Sequence, residues 1–378
     1  MLWYPAALLP NFETTGRSSI DAGPAVFASV SDDRVRAVSA AHPLFEDLLG
    51  RFVNAFERKH NPSVLMFAPS CPEVHTSVQA MASMRDILSA SVVPLARARF
   101  LNGRQTGPLC FSNAFDFYPW MIDRQFEDLV MLTPGTRGID DVSDFRGQLS
   151  PEFVLPASVG DCDIDHPIFD ALVSRWCAFY RRPNASNRQR SLLRSLNMAH
   201  HAGQLPGNQD TTAYDYGRLI ALWVSALEIL AHPGTARVGF WDVCDLLEQA
   251  QWDARDNRNR TFKIRARSKS PQRHRRVCRV YEILYDARND FLHGNRIRRR
   301  SVYIGSKKVA LHKMGAVLYR MALSAFLEVS RPGVPSDWVR MTIEEKAKHM
   351  SDGMDFIDIQ TQFEDAFIGC GKMRPPRR

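Results

Sequence analysis

The chain of 378 residues is long enough for two domains, and its 45% hydrophobic and 24% charged residues are typical of a globular protein. No segment approaches the roughly 18 consecutive apolar residues of a membrane-spanning helix, and apolar residues 1–10 lack the basic start of a signal peptide, so we expect a cytoplasmic protein without membrane association. The net charge of +8 is local, because residues 255–308 contain 18 Lys/Arg and 4 Asp/Glu and therefore carry +14, which leaves −6 for the remainder.

Residues 1–156 contain patterns typical of helices and others typical of strands, so we predict a mixed α/β N-terminal domain there. The predicted elements are helices at 42–60 and 76–90, strands at 63–68 and 126–132, and strand or loop at 107–120. Three carboxylates in this half, Asp116, Asp123 and Asp128, are isolated in sequence and are interpreted as solvated rather than as metal ligands. We find no catalytic constellation in this half and assign it a sensor or regulatory role from the division of the chain alone.

From residue 165 the hydrophobic periodicity becomes helical, which makes the whole chain mainly α. We predict a helical domain over residues 165–330, followed by a C-terminal helical extension and a disordered basic tail within residues 331–378. The predicted helices are 168–180, one capped by Ser186, 212–231, 240–251, 272–294, 309–329 and one opened by a Thr342/Glu345 capping box, with a short strand at 301–304. His200 and His201, which end the second of these helices, are interpreted as surface residues.

We interpret the residues that could bind a metal as structural residues instead. The seven cysteines are scattered and form no C-x2-C pair, which favours reduced thiols and argues against a zinc site or a disulfide framework. The one tight cluster, Cys162, Asp163, Asp165 and His166, has no second cluster at ligand spacing, so we interpret it as a loop or helix cap. We therefore predict neither a metal nor a cofactor.

The basic region between residues 255 and 308 favours a polyanionic partner, because neutralising phosphates releases condensed counterions. We predict an RNA-binding patch formed by Arg273, Arg275, Arg276, Arg279, Arg296, Arg298, Arg299, Arg300, Lys307 and Lys308. The alternative is a solvated basic loop, and for residues 255–276 we expect disorder in the free protein. Disorder is compatible with RNA binding, since arginine-rich segments often fold on RNA.

The segment Y-D-A-R-N-D-F-L-H-G at residues 285–294 lies inside this basic region and ends a predicted helix at Gly294. At about 100° per residue, Arg288 lies at the border of the apolar stripe, while Asn289, Asp290 and His293 lie on the opposite, polar face. A histidine in a last helical turn is well placed for acid or base chemistry. The alternative is a helix-ending histidine beside an arginine that extends to solvent.

Glu228 is the single carboxylate in the last three turns of the most hydrophobic predicted helix, residues 212–231. It either faces solvent or pairs with a cation on a neighbouring helix. Arg288 is the candidate for that cation.

The order of these parts resembles the HEPN superfamily and, within it, the ApeA-like group. The resemblance covers residues 165–329 and is carried by W-V-S-A-L-E-I-L at 223–230, a variable charged insert, and R-N-D-F-L-H-G at 288–294. It implies an up-and-down bundle of four or five helices that dimerises. It also implies metal-independent RNA cleavage by Arg288, Asn289 and His293, with Glu228 and Asp290 in supporting positions, in toxin or phage-defence (abortive infection) systems.

The expected chemistry is attack by the RNA 2′-OH, which yields 2′,3′-cyclic phosphate and 5′-OH ends. His293 would act as general acid or base, Arg288 would stabilise the phosphorane, and Asn289 would orient His293 or the phosphate. One histidine cannot serve both ends of the reaction, so we expect a homodimer or higher oligomer acting on RNA, with tRNA as one candidate and a phage-derived trigger or antitoxin as partner. The rival interpretation is an RNA- or nucleotide-binding dimer or adaptor without chemistry. Motifs of other hydrolases, such as G-x-S-x-G and H-E-x-x-H, are absent.

Overall fold

A computed structural model describes residues 2–14, 19–53, 58–72, 75, 77–104, 110–123, 125–127, 129–131, 157–181, 184–207, 211–234, 237–264, 272–295 and 299–371. The described strands are β1 (Tyr4–Leu9), β2 (Phe12–Thr14), β3 (Ser19–Ala22), β4 (Ala25–Ala28), β5 (Ser63–Phe67), β6 (Trp120–Ile122), β7 (Leu129–Met131), β8 (Ala157–Val159), β9 (Thr261–Ile264), β10 (Gln272–Arg275), β11 (Tyr303–Ile304) and β12 (Val309–Ala310). The described helices are α1 (Asp33–Ala41), α2 (Pro43–Gly50), α3 (Val78–Leu101), α4 (His166–Arg181), α5 (Asn187–Ala202), α6 (Ala213–Leu230), α7 (Phe240–Gln249), α8 (Arg255–Asn259), α9 (Arg276–Leu292), α10 (Leu311–Leu327) and α11 (Ile343–Gly369). The predicted fold class, mainly α, is confirmed at this level.

The N-terminal strands form an antiparallel sheet in the order β1-β5-β4-β3. Strands β4 and β5 are buried along their whole length, which is why their sequences are continuous apolar runs rather than alternating ones. Of the four strands in this sheet, only β5 was predicted from the sequence, at residues 63–68. The helix predicted over residues 42–60 ends at Gly50, and α1 precedes it.

Helix α3 is the element that joins the sheet to the helical half. It was predicted over residues 76–90 but continues to Leu101 through Pro94, and it is buried over most of its length. It packs against α4, α5, α10 and α11, and buried residues of the sheet and the helices form one hydrophobic cluster. Helix α3 thus packs with elements that follow residue 165, although the sequence-based division places it in residues 1–156.

The helices predicted from residue 165 onward are confirmed with small shifts of their ends. Helix α6 packs against α5, α9 and α10. The predicted cap at Ser186 and the predicted capping box at Thr342 are both present, and Ser186 also forms a capping box with Gln189. Helix α9 begins at Arg276 because residues 272–275 pair with β9 as β10. Of the strand predicted at 301–304, the second half is β11 and the first half belongs to the 3₁₀ helix Arg299–Val302.

The expectation of disorder over residues 255–276 is wrong for its described part. Residues 255–259 form α8, and β9 and β10 form an antiparallel hairpin. Helix α8 is held by Glu364 of α11, whose carboxylate accepts the backbone N–H groups of Asp253 and Ala254 at 2.6 and 2.7 Å. The predicted basic tail lies outside the described residues.

The cluster at residues 162–166 is a helix cap, as predicted. One carboxylate oxygen of Asp165 accepts the N–H of Ile168 at the start of α4 (3.4 Å), and the other accepts Nε–H of Arg320 (2.7 Å). Arg320 also donates to Oε1 of Gln360 (2.6 Å), so three buried polar side chains tie α4, α10 and α11 together.

Among the described residues, none of the helices combines the length and the apolar character needed to cross a bilayer.

Candidate active site

Helix α9 positions the predicted motif through its apolar stripe. Val277, Val280, Tyr281 and Leu284 are buried, which fixes the rotation of the helix about its axis. His293 caps the helix, with its N–H donated to the carbonyl oxygen of Asn289 at 3.0 Å. Gly294 follows with φ +66°, the left-handed conformation predicted for the helix end.

Arg288 is held by Glu228 of α6, as the sequence suggested. Its Nη2 donates to both carboxylate oxygens of Glu228, at 2.9 and 2.8 Å, and its Nη1 donates to Oδ1 of Asn289 at 3.0 Å. The guanidinium carbon lies 5.0 Å from the centroid of the Tyr285 ring, one turn earlier on α9. The guanidinium is therefore fixed on three sides.

The Arg288–Glu228 pair is partly removed from water, because the two side chains are only 19% and 20% exposed. Burial raises the pKa of the Glu228 carboxyl above its ordinary value, an effect that the charge and hydrogen bonds of Arg288 oppose. The neighbouring Tyr281 is also buried, and burial followed by the charge of Glu228 raises its pKa well above normal. Because the pKa of Glu228 rises despite its cation, the desolvation of this carboxylate outweighs the attraction of Arg288.

Asn289 does not lie on an exposed polar face, and that prediction is wrong. It is buried, because its side chain turns toward Arg288 and supplies the acceptor for Nη1. His293 is exposed at the end of the helix. Asp290 stabilises that end, since its Oδ1 accepts Nδ2–H of Asn295 and its carbonyl oxygen accepts the N–H of Asn295, both at 3.0 Å.

Two of the predicted RNA-binding arginines lie inside the protein instead. Arg276 is buried and pairs with Asp256 while donating to the carbonyl oxygen of Phe367 at 3.1 Å. Arg279 is buried and pairs with Glu282 one turn later on α9. Their inclusion in the patch is corrected: both lie on the face of α9 that packs against other elements, where each needs a carboxylate partner.

Three other members of the predicted patch are exposed in the described part of the chain. Arg273 is exposed on β10 and donates to Oγ1 of Thr261 at 3.0 Å, and Arg275 is half-buried with Nη1 on the carbonyl oxygen of Glu248 at 3.0 Å. Lys307 and Lys308 are exposed between β11 and β12. The backbones of Arg299 and Arg300 belong to a 3₁₀ helix, and Arg296 and Arg298 lie outside the described residues.

Sequence reasoning missed a buried histidine. His200 was interpreted as a surface residue, but its Nε2 lies 3.0 Å from Oδ1 of Asp116 and its Nδ1 lies 3.6 Å from Oδ1 of Asp86 on α3. Asp116 is therefore not an isolated solvated carboxylate, and that interpretation is wrong as well. Asp123 accepts the N–H of Glu127 at 2.9 Å, whereas Asp128 lies outside the described residues. No sequence signal links residues 86, 116 and 200, which meet only in the tertiary structure.

A second cluster missed by sequence reasoning joins α7, β10 and α9. Glu248, His274 and Cys278 bring one ligand atom each to within 4.8 Å of one another. The available signal was two pairs at helical i, i+4 spacing, Cys244 with Glu248 and His274 with Cys278.

Neither a protein-family model, nor a curated protein, nor a solved structure gives a significant match to the chain. The class of protein is therefore defined by the fold and the site alone. The chain is a mainly helical protein in which Arg288, Glu228 and Asn289 form a partly desolvated cluster. The exposed His293 ends the helix that carries Arg288 and Asn289.

Proposed function

We propose that the chain is a metal-independent endoribonuclease of the HEPN type that acts as a homodimer. The observation that carries the proposal is the arrangement at the end of α9. Glu228 and Asn289 fix the guanidinium of Arg288, and His293 is exposed little more than one helical turn further on. A fixed cation and a solvent-accessible imidazole are the two groups that cleavage by the RNA 2′-OH requires.

The hydrogen bonds of Arg288 leave room for a phosphate. Of the five N–H donors of a guanidinium, its bonds to Glu228 and Asn289 use three. The Nε–H and one Nη1–H remain, but they lie on different edges of the planar group, since Nη1 is cis to Cδ and the Nε–H shares its edge with Nη2. One of them can donate to an equatorial oxygen of a phosphorane while Glu228 keeps the planar group in place. His293 would remove the 2′-OH proton or protonate the 5′-oxygen. Asn289 serves as a positioning residue for Arg288.

Exposed apolar side chains near His293 support a symmetric dimer. Leu292 is 63% exposed and Tyr214, at the start of α6, is 74% exposed. The start of α6 lies beside the end of α9, because Gly217 packs directly against the ring of Phe291. A second copy docked on these side chains would bring two His293 imidazoles to one cleft, one for each proton transfer.

The test is incubation of the purified full-length chain with tRNA and total RNA in buffer containing EDTA. We expect cleavage with 2′,3′-cyclic phosphate ends, and a loss of at least about 100-fold in His293→Ala, the usual scale for one acid or base. His232→Ala is the matched control, since His232 is also exposed and follows the end of α6. The proposal fails if His293→Ala cleaves RNA as fast as wild type or if cleavage products carry 3′-OH ends.

Arg288→Lys complements this test, because Arg288→Ala would also remove the partner of Glu228. Lysine keeps the positive charge beside Glu228 but loses the planar fork that holds Glu228, Asn289 and phosphate together. We expect a cleavage rate lower by at least about tenfold, with the temperature of unfolding little changed. Unchanged cleavage would assign Arg288 a purely structural role.

A second candidate function is RNA binding without cleavage. It is favoured by the direct pairing of Arg288 with Glu228, which neutralises the cation on which the catalytic role depends. Exposed cations such as Arg273, Lys307 and Lys308 would serve such a module equally well. Recovery of intact RNA from a salt-sensitive complex would identify this function.

The cellular role follows from the resemblance to toxin and phage-defence proteins. A cytoplasmic ribonuclease of this kind would act as an abortive-infection effector, with residues 1–156 sensing a phage-derived trigger or binding an antitoxin. Induced expression should then arrest growth of the host, and His293→Ala should not.

A further inference from the structure

A carboxylate, an imidazole and a thiol converge where α7 ends and α9 begins. Glu248 lies in the last turn of α7, His274 on β10, and Cys278 in the first turn of α9. His274 Nδ1 is 3.1 Å from Oε1 of Glu248, and Cys278 Sγ is 3.6 Å from the same oxygen. The three groups thus approach one another from three different elements.

The two separations from Glu248 are close to the edges of a zinc tetrahedron. With Zn–O and Zn–N bonds of about 2.0–2.1 Å and a Zn–S bond of about 2.3 Å, tetrahedral ligands lie about 3.4 Å apart for N and O and about 3.5 Å apart for O and S. The measured 3.1 and 3.6 Å are within a few tenths of an ångström of these values. The third pair, Nδ1 of His274 and Sγ of Cys278, lies within 4.8 Å, against about 3.6 Å in a zinc tetrahedron, so Zn²⁺ binding would draw these two side chains up to about 1 Å closer together.

The other nitrogen of His274 is arranged as in a metal-binding histidine. Its Nε2 lies 3.2 Å from Oε1 of Gln272, so both ring nitrogens face an acceptor oxygen. A neutral imidazole carries a single N–H and cannot donate to both oxygens. With a metal ion on Nδ1, the proton resides on Nε2 and is donated to Gln272, the usual outer contact of a histidine ligand.

We propose that Glu248, His274 and Cys278 bind one Zn²⁺ ion, with a water molecule as the fourth ligand. The combination of thiolate, imidazole and carboxylate favours Zn²⁺ over Mg²⁺ or Ca²⁺, which bind oxygen ligands. Glu248 is 31% and His274 is 14% exposed, so an ion and its water can reach the site from solvent. The proposal goes beyond the ribonuclease function and is independent of it.

Zinc binding requires the Cys278 thiolate. In the structure the Cys278 thiol donates to the carbonyl oxygen of Cys244 and to Oε1 of Glu248, both at 3.6 Å, so it carries its proton there. Binding of Zn²⁺ therefore breaks the S–H bond, forms a Zn–S bond and releases one proton to solvent. Affinity should fall as the pH is lowered.

The ion would fix the hairpin of β9 and β10 and the start of α9 to the end of α7. It would have no direct role in RNA cleavage. Cys278 and His293 are 15 positions apart in the sequence, which corresponds to about 22 Å along a helix. A structural ion at this site is thus compatible with metal-independent chemistry at the other end of α9.

The alternative is that the same atoms form only hydrogen bonds. Oε1 of Glu248 also accepts the N–H of Arg275 at 3.0 Å, so Glu248 contributes to the start of α9 in any case. Direct measurement of bound metal distinguishes the two interpretations, because hydrogen bonds at the start of α9 need no ion.

The test uses the full-length chain, stripped of metal and then titrated with Zn²⁺ or Co²⁺. We expect one equivalent of Zn²⁺ by elemental analysis, and for Co²⁺ the visible bands of a tetrahedral site together with a near-ultraviolet thiolate-to-Co²⁺ band. Cys278→Ser should lose the thiolate band, and His274→Ala should lower Zn²⁺ affinity at least about 100-fold, since even outer-shell changes cost 10–100-fold. Cys370→Ser, another buried cysteine outside the cluster, is the matched control and should bind like wild type.

Glu248→Gln provides a second variant at a half-buried position, for use if Cys278→Ser does not fold. It should bind Zn²⁺ at least about tenfold more weakly than wild type. Less than a tenth of an equivalent of Zn²⁺ on the wild-type chain, or Co²⁺ spectra identical in wild type and Cys278→Ser, overturns the proposal. RNA cleavage is not used as a readout, so the two proposals fail separately.

Discussion

Replacing Arg288 by methionine would remove the cation of the candidate site while keeping most of the side-chain volume. The change leaves Glu228, which is 20% exposed, without its partner. Two charges about 4 Å apart attract each other by about 4 kcal/mol at an effective dielectric constant of 20. Losing one partner of a fully buried pair costs about 3–5 kcal/mol, and for this degree of exposure we expect about 2–3 kcal/mol of unfolding free energy.

The complementary change, Glu228→Met, should cost less. The long side chain of Arg288 can move its guanidinium to solvent, whereas the shorter Glu228 cannot reach water as easily. We expect about 1 kcal/mol for Glu228→Met and at most about 1 kcal/mol for the double variant, in which neither charge remains. The coupling energy of the cycle should therefore be about 2 kcal/mol.

Lowering the pH should reduce the cost of Arg288→Met. The pKa of Glu228 is already raised by burial in the presence of Arg288, and loss of the cation raises it further. An acid with a raised folded-state pKa stabilises the fold below its unfolded pKa, and that contribution is lost as the pH rises through the folded pKa. The gap between wild type and Arg288→Met should consequently be smaller at pH 5.5 than at pH 7.5.

Urea unfolding followed by circular dichroism and tryptophan fluorescence measures all four members of the cycle. A cost below about 0.5 kcal/mol for Arg288→Met would refute the reasoning, as would a double variant as unstable as the sum of the single changes. In either case Arg288 would be free of Glu228 in solution, and its fixed orientation could no longer support the catalytic proposal.

Three further changes test the packing of the helical half. Arg320→Met leaves the carboxylate of Asp165 buried and unpaired, so urea unfolding should show a loss of about 3–5 kcal/mol; a loss below about 1 kcal/mol contradicts the buried pair. Burial and two nearby cations lower the pKa of His312 from 6.5 to about 3, so the unfolded chain gains a proton between pH 6.5 and 3 that the folded chain does not. Wild type should therefore lose about 1–2 kcal/mol more stability than His312→Gln on going from pH 7 to 5, and equal losses would contradict this. In Gly217→Ala the new methyl group would overlap the ring of Phe291, so we expect about 1–3 kcal/mol of destabilisation and slower RNA cleavage; wild-type values for both would show that the ring moves freely.

Much of the helical half could be predicted from sequence because its signals are local. The Ser186 and Thr342 capping boxes and the apolar stripe of α9 are contained in single segments of chain. The N-terminal sheet was largely missed because β1, β3 and β4 are short, and because β1 and β4 pair with β5, which is distant in sequence. Helix α3 was predicted only over residues 76–90, whereas it continues through Pro94 to Leu101. A helix can continue past proline when its neighbours cover the disrupted turn.

The candidate site, like the fold, could be predicted where the signal is local and could not where it depends on tertiary contacts. The Arg288–Glu228 pair could be predicted because Glu228 is the single carboxylate in the last three turns of its helix and Arg288 lies at the border of the apolar stripe of α9. The burial of Arg276 and Arg279 could not, because periodicity does not reveal which buried positions have a carboxylate nearby. A high local charge therefore overestimates the basic surface, since some of its arginines are neutralised inside.

A single chain lacks part of what RNA cleavage at this site requires. Glu228 compensates the charge of Arg288, so the single-chain site offers RNA a fixed hydrogen-bond donor but little excess positive charge. The attraction of RNA must then come from exposed cations such as Arg273 and Lys307, and the second proton-transferring group must come from elsewhere. A symmetry-related copy supplies both at once, because it doubles the exposed cations and adds a second His293. Dimerisation is thus a chemical requirement of the proposed function, and a chain that remains monomeric should bind RNA weakly and leave it intact.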